Sequence, residues 1–230
     1  MSALIGIGLY TPAEAQRLLG VSAGKIVRWL NGHAIEGRRY APLWTSQVDL
    51  HDGKTYLGFR DLMEVRVADA FISAGVSAIR VREAIQLARE VLGMDRPLST
   101  DRFRTDGRDI FLRIVDRDRD GADREKLLSL FKRQYAFSEV LEPSLKGLEY
   151  DGEGAPSLWR PHGKRGSIVL DPERSFGQPI DQRSGVPTRA LASAARVDGA
   201  EAAAAAFGVP VASVRRAVDF EEGLEARKAA

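Results

Sequence analysis

Near its start the chain carries start and stop signals for two short helices separated by a short turn that contains one glycine. Thr11 is a favourable N-cap, and Glu14, three residues later, completes a capping box. Gly20 tolerates the left-handed backbone that ends a helix, and Ser22 is placed to cap a second helix that runs to Gly32. Two helices joined by so short a turn must cross at close range, as they do in a helix-turn-helix.

The apolar residues of this segment fit such a close crossing. Ala15 is small where the two helices approach each other, and Val21 and Ile26 are the apolar residues that would fill the space beneath the crossing. In DNA-binding proteins with this spacing, the start of the second helix enters the major groove. The segment is therefore predicted to read duplex DNA, and the alternative is a pair of helices that only pack together.

Basic residues concentrate in the same part of the chain. The first 46 residues hold five Lys or Arg against two Glu, a surplus of +3, whereas the whole chain has a net charge of only +2. Ser22 and the helix N-terminus suit a phosphate, while Lys25 and Arg28 suit a base edge or a phosphate. The predicted DNA-binding residues are Ser22, Ala23, Gly24, Lys25, Arg28, Arg38 and Arg39.

The stretch from Arg38 to Leu57 contains β-prone residues and predicts a hairpin, or wing, with its turn at Asp52-Gly53. With this wing, residues 11–90 resemble the winged DNA-binding domain of MerR-type regulators, and Tyr56–Leu62 resembles that family's entry to its third helix. The resemblance implies that the chain binds double-stranded operator DNA. The family's metal-sensing cysteines are absent, and Pro97 cuts off the helix that would form its coiled coil.

The rest of the pattern predicts a mainly α fold with small β-hairpins, of the α+β class. Helices are predicted from Phe59, from Ser77 and over Glu125–Leu141. Asp106-Gly107 lies between two β-prone runs and predicts a second hairpin over residues 103–115. Short strands are predicted around Tyr150, Trp159 and residues 168–170.

Composition divides the chain into a winged helix-turn-helix domain (1–98), a mixed connecting region (99–170) and a C-terminal helical module (171–230). Four motifs follow one another at the start of the last part and within it: Ile168–Pro172, Phe176–Pro179, Gly185–Thr188 and Ala204–Val209. Together they resemble a small helical module of bacterial antitoxins. Preceded by the helix-turn-helix, they resemble a VapB-type antitoxin, which implies a PIN-like ribonuclease toxin as partner and repression of the chain's own operon.

Phe207–Pro210 within this module also has the geometry of a helix-turn-helix. Its second helix would present Ser213, Arg215 and Arg216 as a further DNA or dimer contact. The favoured interpretation is a packing module that pairs subunits. The polar tail after Phe220 suits a partner-binding segment that orders on contact. The predicted core residues of the packing module are Val209, Val214, Val218 and Phe220.

Several classes of protein are not favoured by the sequence. The chain has no cysteine, which excludes disulfides, thiolate metal sites and cysteine nucleophiles, and fits the cytoplasm. His33, His51 and His162 lack metal-ligand spacing, so no metal or other cofactor is expected. No apolar run reaches the ~20 residues of a membrane span. No nucleophile is set beside a base, so the chain is not expected to be an enzyme.

The sequence therefore predicts a transcriptional repressor that binds operator DNA as a homodimer, because one such domain contacts little DNA and operators are commonly two-fold. The antitoxin resemblance adds a toxin partner. The alternative is a MerR-like regulator that responds to a small ligand and has no toxin. A cavity lined by the middle region would favour that alternative.

Overall fold

The computed structural model describes residues 6–35, 37–117, 134–163 and 166–229. These residues form a mainly helical fold with small antiparallel sheets, as predicted. The helices are α1 (Pro12–Leu19), α2 (Ala23–Asn31), α3 (Phe59–Ser73), α4 (Ala78–Leu92), α5 (Asp101–Arg117), α6 (Gln134–Leu145), α7 (Thr188–Asp198), α8 (Ala200–Phe207) and α9 (Val211–Ala229). The strands are β1 (His33–Ile35), β2 (Arg38–Tyr40), β3 (Leu148–Tyr150), β4 (Pro156–Trp159), β5 (Ile168–Leu170) and β6 (Pro179–Asp181).

The predicted caps of α1 and α2 are confirmed. The Thr11 hydroxyl accepts a hydrogen bond from the Glu14 amide at 3.2 Å, and the Glu14 carboxylate accepts one from the Thr11 amide at 2.8 Å. Gly20, with a φ of +79°, ends α1, and the Ser22 hydroxyl accepts from the Lys25 amide at 3.3 Å at the start of α2. The residues predicted to fill the crossing are all buried: Ala15, Val21 and Ile26.

A hairpin follows α2, but it is shorter and earlier than predicted. β1 pairs with β2 directly after Gly32, whereas residues 41–57, all of them described, form no strand and make only an isolated bridge from Leu57 to Tyr10. The predicted strand-joining turn at Asp52-Gly53 is therefore wrong. Trp44 is buried in this segment and its indole donates to Asp61 of α3, so the segment is held by a helix and needs no partner strand.

The predicted hairpin over residues 103–115 is also wrong, because α5 covers the whole stretch. The Thr100 hydroxyl accepts from the Phe103 amide at 3.1 Å and starts the helix. A Cβ on Gly107 would lie 2.8 Å from the Phe103 ring and 2.9 Å from the Phe137 ring. This glycine therefore permits close packing of α5 against α6 and makes no turn. The buried face of α5 consists of Phe103, Ile110, Phe111, Ile114 and Val115.

The second sheet joins the middle region to the C-terminal part. Its strands run in the order β3-β4-β5-β6, each antiparallel to its neighbour, and the three strands predicted from sequence are confirmed. The helix predicted over Glu125–Leu141 is observed from Gln134 and extends to Leu145. Its residues 125–133 lie outside the described residues.

The main apolar core draws on all three predicted domains. It extends from Tyr10, ahead of α1, through Phe103 of α5 to Leu224 of α9. α9 continues to Ala229 with Glu221 and Leu224 buried, so the expectation that the chain after Phe220 orders only on contact is wrong for residues 221–229. The boundaries at 98 and 170 stay a prediction. Within the described ranges, no helix combines the length and the apolar character that crossing a membrane requires.

Candidate nucleic-acid interface

The start of α2 is the predicted reading surface, and most of it is accessible. Ser22 and Gly24 are exposed, and Ala23 is half-buried. The Ala23 amide donates to the side-chain oxygen of Gln16 on α1 at 2.8 Å. Together with the bond from the Lys25 amide to Ser22, this contact uses two of the free amides with which a helix N-terminus binds anions. A phosphate at this position would have to compete with these internal acceptors.

Lys25 lies at the side of α2 rather than on its outer face. Its ammonium is 2.7 Å from the Asp69 carboxylate of α3 and 4.9 Å from the centre of the Trp29 ring. The Lys25 side chain is 30% exposed and that of Asp69 is 28% exposed, so water screens this ion pair only in part. The structure therefore gives Lys25 an internal partner that its sequence position does not reveal.

Arg28 is the contrasting basic residue of α2. It is exposed, and no carboxylate of the described residues lies within ion-pair distance of it. Its guanidinium lies beside Gly24, one turn earlier, at 3.7 Å from where a Cβ would stand. Arg28 is therefore a charged group on the outer face of α2 that is available to a ligand.

The β1–β2 hairpin is fixed close to the end of α2. Gly32 has a φ of +72°, and a Cβ there would lie 2.5 Å from the Tyr40 carbonyl oxygen, so only glycine allows this approach. The Leu43 amide donates to the Trp29 carbonyl at 2.7 Å just beyond the hairpin. Arg39 is exposed on β2, while the side chain of Arg38 lies outside the described residues. Arg39 and Arg28 thus project from two adjoining elements.

Two buried acids of α3 hold the segments on either side of it. The Asp61 carboxylate accepts from the Trp44 indole, from the Gln47 and Gly58 amides and from Arg96. This network fixes the long connection between the hairpin and α3. Asp61 has no exposed surface.

Glu64, one turn after Asp61, is the second buried acid. It accepts hydrogen bonds from the Leu98 amide at 3.0 Å and from the Ser99 amide and hydroxyl, each at 3.1 Å. Burial raises the pKa of Glu64 to about 7, although these hydrogen bonds and nearby Arg96 act to lower it. Glu64 therefore titrates near neutral pH. Neither acid was predicted, because an isolated acid in a helix pattern is more commonly solvated.

The second predicted contact, at the start of α9, has a different environment. Ser213 is 1% exposed and accepts from Arg216 at 2.9 Å. Arg216 also donates to the buried carboxylate of Asp181 on β6, and Arg215 pairs with Glu201 of α8 at 3.0 Å. These contacts hold α9 against α8 and β6 within the chain, and the pairing of subunits by this module stays a prediction. The predicted core residues Val209, Val214 and Phe220 are buried, and Val218 is half-buried.

This arrangement of elements recurs in known proteins. The chain is similar to a Mycobacterium tuberculosis protein named "Putative antitoxin VapB45". The two are 28% identical in an alignment of 227 positions, which covers 93% of each chain. The fold also matches the crystal structure of Rv2018 from Mycobacterium tuberculosis with a TM-score of 0.73 and 26% identity, over 94% of this chain and 99% of that one. No family model matches the sequence.

A concave site of another kind lies in the middle region. A groove of about 780 Å³ runs between the starts of α5 and β3 and the end of α6. The Tyr150 hydroxyl is buried beside it with no hydrogen-bond partner among the described residues. Burial, and then the Asp101 carboxylate, raise the pKa of Tyr150 to about 12. The groove is lined by Asp101, Arg104, Glu142, Leu145, Leu148 and Tyr150, among others.

Proposed function

We propose that this chain is the antitoxin of a toxin–antitoxin pair, that it neutralises a PIN-like ribonuclease, and that it represses its own operon by binding operator DNA. The observation that carries the antitoxin role is the similarity to the protein named "Putative antitoxin VapB45", which extends over 93% of both chains. Similarity over nearly the whole length covers both the helix-turn-helix and the C-terminal module. The role is that of a binding protein, and we propose no catalytic activity.

The geometry of α2 and the β1–β2 hairpin supports the DNA-binding part of the proposal. In winged DNA-binding domains the second helix enters the major groove, and a neighbouring element contacts the backbone. Arg28 is exposed on the outer face of α2, and Arg39 is exposed on the adjoining hairpin. Arg28 is assigned to a base edge or a phosphate, and Arg39 to a phosphate.

A homodimer is part of the proposal, because a single domain of this size buries little DNA and operators commonly have two-fold symmetry. In the C-terminal module, a small apolar cluster that includes Leu191 and Val214 supports α7, α8 and α9 as a unit. Val197 of α7 is 81% exposed and Phe207 of α8 is 41% exposed. We assign subunit pairing to this module.

The antitoxin role is tested by expressing the neighbouring gene product with and without this chain. We expect the neighbour alone to arrest growth, and co-expression to restore growth and yield a complex that co-purifies. The Arg28→Ala variant is the matched control, because it should bind the operator more weakly yet still rescue growth. If the neighbour is harmless and no complex forms, the antitoxin role is rejected.

The middle-region groove favours a second candidate function, that of a regulator that responds to a small ligand. Ligand pockets commonly measure roughly 300–1,000 Å³ and combine apolar walls with a few polar groups, and the unpartnered Tyr150 hydroxyl is such a group. In that case a ligand should raise the midpoint of thermal unfolding of the native chain more than that of the Tyr150→Phe variant. A screen of anionic and neutral metabolites in which no compound produces this difference would reject the candidate.

A further inference from the structure

We infer that Asp69 limits how strongly the proposed DNA surface binds phosphate, by holding Lys25 away from the duplex. The inference rests on the proposed DNA-binding function and concerns a residue outside the helix-turn-helix. Asp69 would be a positioning residue, since it acts through Lys25 and need not contact DNA itself. Its effect would be to restrain affinity.

The geometry of the ion pair is the first step. Lys25 is the third residue of α2, in the part of the helix that enters the groove in this motif. Its ammonium nevertheless lies 2.7 Å from the Asp69 carboxylate on the neighbouring helix. A phosphate in front of α2 would therefore compete with the Asp69 carboxylate for the charge and the donors of this ammonium.

The environment of the pair is the second step. Both side chains are less than one third exposed, at 30% for Lys25 and 28% for Asp69. The Lys25 ammonium also lies 4.9 Å from the centre of the Trp29 ring, which adds an attraction between the cation and the ring. Partial burial strengthens an ion pair relative to a fully hydrated one. These contacts together keep Lys25 at the side of α2.

Arg28 is a basic residue of α2 that no carboxylate of the described residues restrains. It has no carboxylate partner among the described residues, so its charge is available to DNA at no cost in internal ion pairs. Two basic residues one turn apart therefore differ in their readiness to contact DNA. Removing the charge of Asp69 should therefore make the Lys25 ammonium as available to DNA as the Arg28 guanidinium is.

The expected size of the effect follows from counterion release. One additional phosphate contact steepens the dependence of log K on log salt by about 0.9, which corresponds to roughly eightfold tighter binding near 0.1 M salt. We therefore expect Asp69→Asn to bind the duplex upstream of its own gene up to about eightfold more tightly. The gain should shrink as the salt concentration rises.

The experiment compares the native chain with Asp69→Asn, Lys25→Ala and the double variant across a salt series. If Lys25 carries the effect, the gain from Asp69→Asn disappears in the Lys25→Ala background. A gain that persists there would mean that Asp69 repels phosphate directly, and would overturn the inference. Weaker binding by Asp69→Asn, or no change, would overturn it as well. Glu90→Gln, which removes the same charge from an exposed site on α4, is the control and should change little.

Retention on immobilised heparin, a polyanion without base pairs, separates the two possible failures. Suppose that the native chain binds no operator, but that Asp69→Asn raises heparin retention and the rise requires Lys25. This result would reject the proposed DNA function and keep the restraint on Lys25. Operator binding by the native chain without any increase in heparin retention would reject the inference alone. Circular dichroism of each variant checks that α2 and α3 remain folded.

Discussion

Two parts of this molecule share the same local geometry, a short helix, a glycine turn and a second helix, yet their surfaces differ. In the first, α1 and α2, the basic residue Arg28 is exposed without a carboxylate partner among the described residues. In the second, α8 and α9, Arg215 and Arg216 pair with Glu201 and Asp181. The comparison teaches that motif spacing identifies the turn, whereas the ionic partners decide which helix has charge available for a ligand.

A buried aspartate holds α9 of the second part, and another holds the segment that follows the first part. Asp61 connects α3 to the segment after the hairpin and to Arg96, and Asp181 connects β6 to Ser213 and Arg216. Asp61 accepts from two backbone amides, two side chains of the preceding segment and a guanidinium. Asp181 accepts from the Ser184 amide and hydroxyl, from Ser213 and from Arg216. The guanidinium on Asp61 is 12% exposed and the one on Asp181 is 43% exposed, so stability should depend more strongly on Asp61.

The largest expected effect tests this difference. Asp61→Ala should lower the free energy of unfolding by about 3–5 kcal/mol, because it leaves Arg96 and several buried donors without an acceptor. Asp181→Ala should cost about 1–3 kcal/mol, because its main donors reach water more easily. Urea denaturation measures both values. Equal losses would mean that the two supports are equivalent, and Asp61→Asn, which keeps the shape and part of the hydrogen bonding, should lie between native and Asp61→Ala.

The next effect is a pH dependence of stability that has opposite signs for Glu64, the second buried acid of α3, and for Asp181. The pKa of Glu64 is raised to about 7 by burial, so the folded state holds a proton that the unfolded state releases above its ordinary pKa. Its contribution is therefore largest at low pH and is lost as the pH rises through about 7, with a total of up to about 3 kcal/mol. We expect urea stability to fall from pH 6 to pH 8 in the native chain and to stay nearly level in Glu64→Gln.

The pKa shift of Asp181 has the opposite sign to that of Glu64. Although burial acts to raise its pKa, hydrogen bonds from Ser184, Arg216 and Ser213 lower it below the ordinary value. Its contribution is present at neutral pH and is lost only as the pH falls below the unfolded value toward the folded one. A fall in stability between pH 6 and pH 8 that is unchanged in Glu64→Gln would reject the assignment to Glu64.

The same contrast explains how much could be predicted from the sequence. The caps and turn of α1 and α2 were predictable, because Thr11, Gly20 and Ser22 act on their immediate neighbours. The wing was misplaced, because residues 41–57 are held by the distant Asp61. Gly107 was wrongly predicted to form a turn. It lies within α5, where the lack of a side chain makes room for the rings of Phe103 on α5 and Phe137 on α6. Local chemistry is visible in a sequence, whereas long-range partners are not.

The candidate site shows the same limit. Arg28 was predicted to be accessible and is exposed, because no partner from elsewhere in the described chain reaches it. Lys25 and Ser213 were predicted to be accessible by the same reasoning. Lys25, however, forms an ion pair with Asp69, and Ser213 is buried by the packing of α9. The partner of Lys25 is 44 residues later in the chain, and no spacing rule connects the two positions.

A smaller expected effect, on operator binding, tests the DNA surface of α2 directly. Arg28→Ala should weaken binding to the operator duplex by about 1–3 kcal/mol, or roughly fivefold to 150-fold, because it removes a base or phosphate contact. Fluorescence anisotropy with the upstream duplex measures the loss, and a scrambled duplex distinguishes the two roles. A loss confined to the upstream duplex indicates a base contact, and an equal loss on both indicates a phosphate contact. Unchanged affinity would remove α2 as the reading helix.

The smallest expected effect is that of Arg215→Ala at the second surface. Arg215 and its partner Glu201 are largely exposed, with 68% and 73% of their side-chain surfaces accessible, so the pair should add no more than about 0.2–1 kcal/mol to stability. Because its charge is already matched, Arg215→Ala should change operator affinity far less than Arg28→Ala does. If instead it weakens operator binding tenfold or more with a shallower salt dependence, α9 contacts phosphate, and the distinction between the two helix-turn-helices fails.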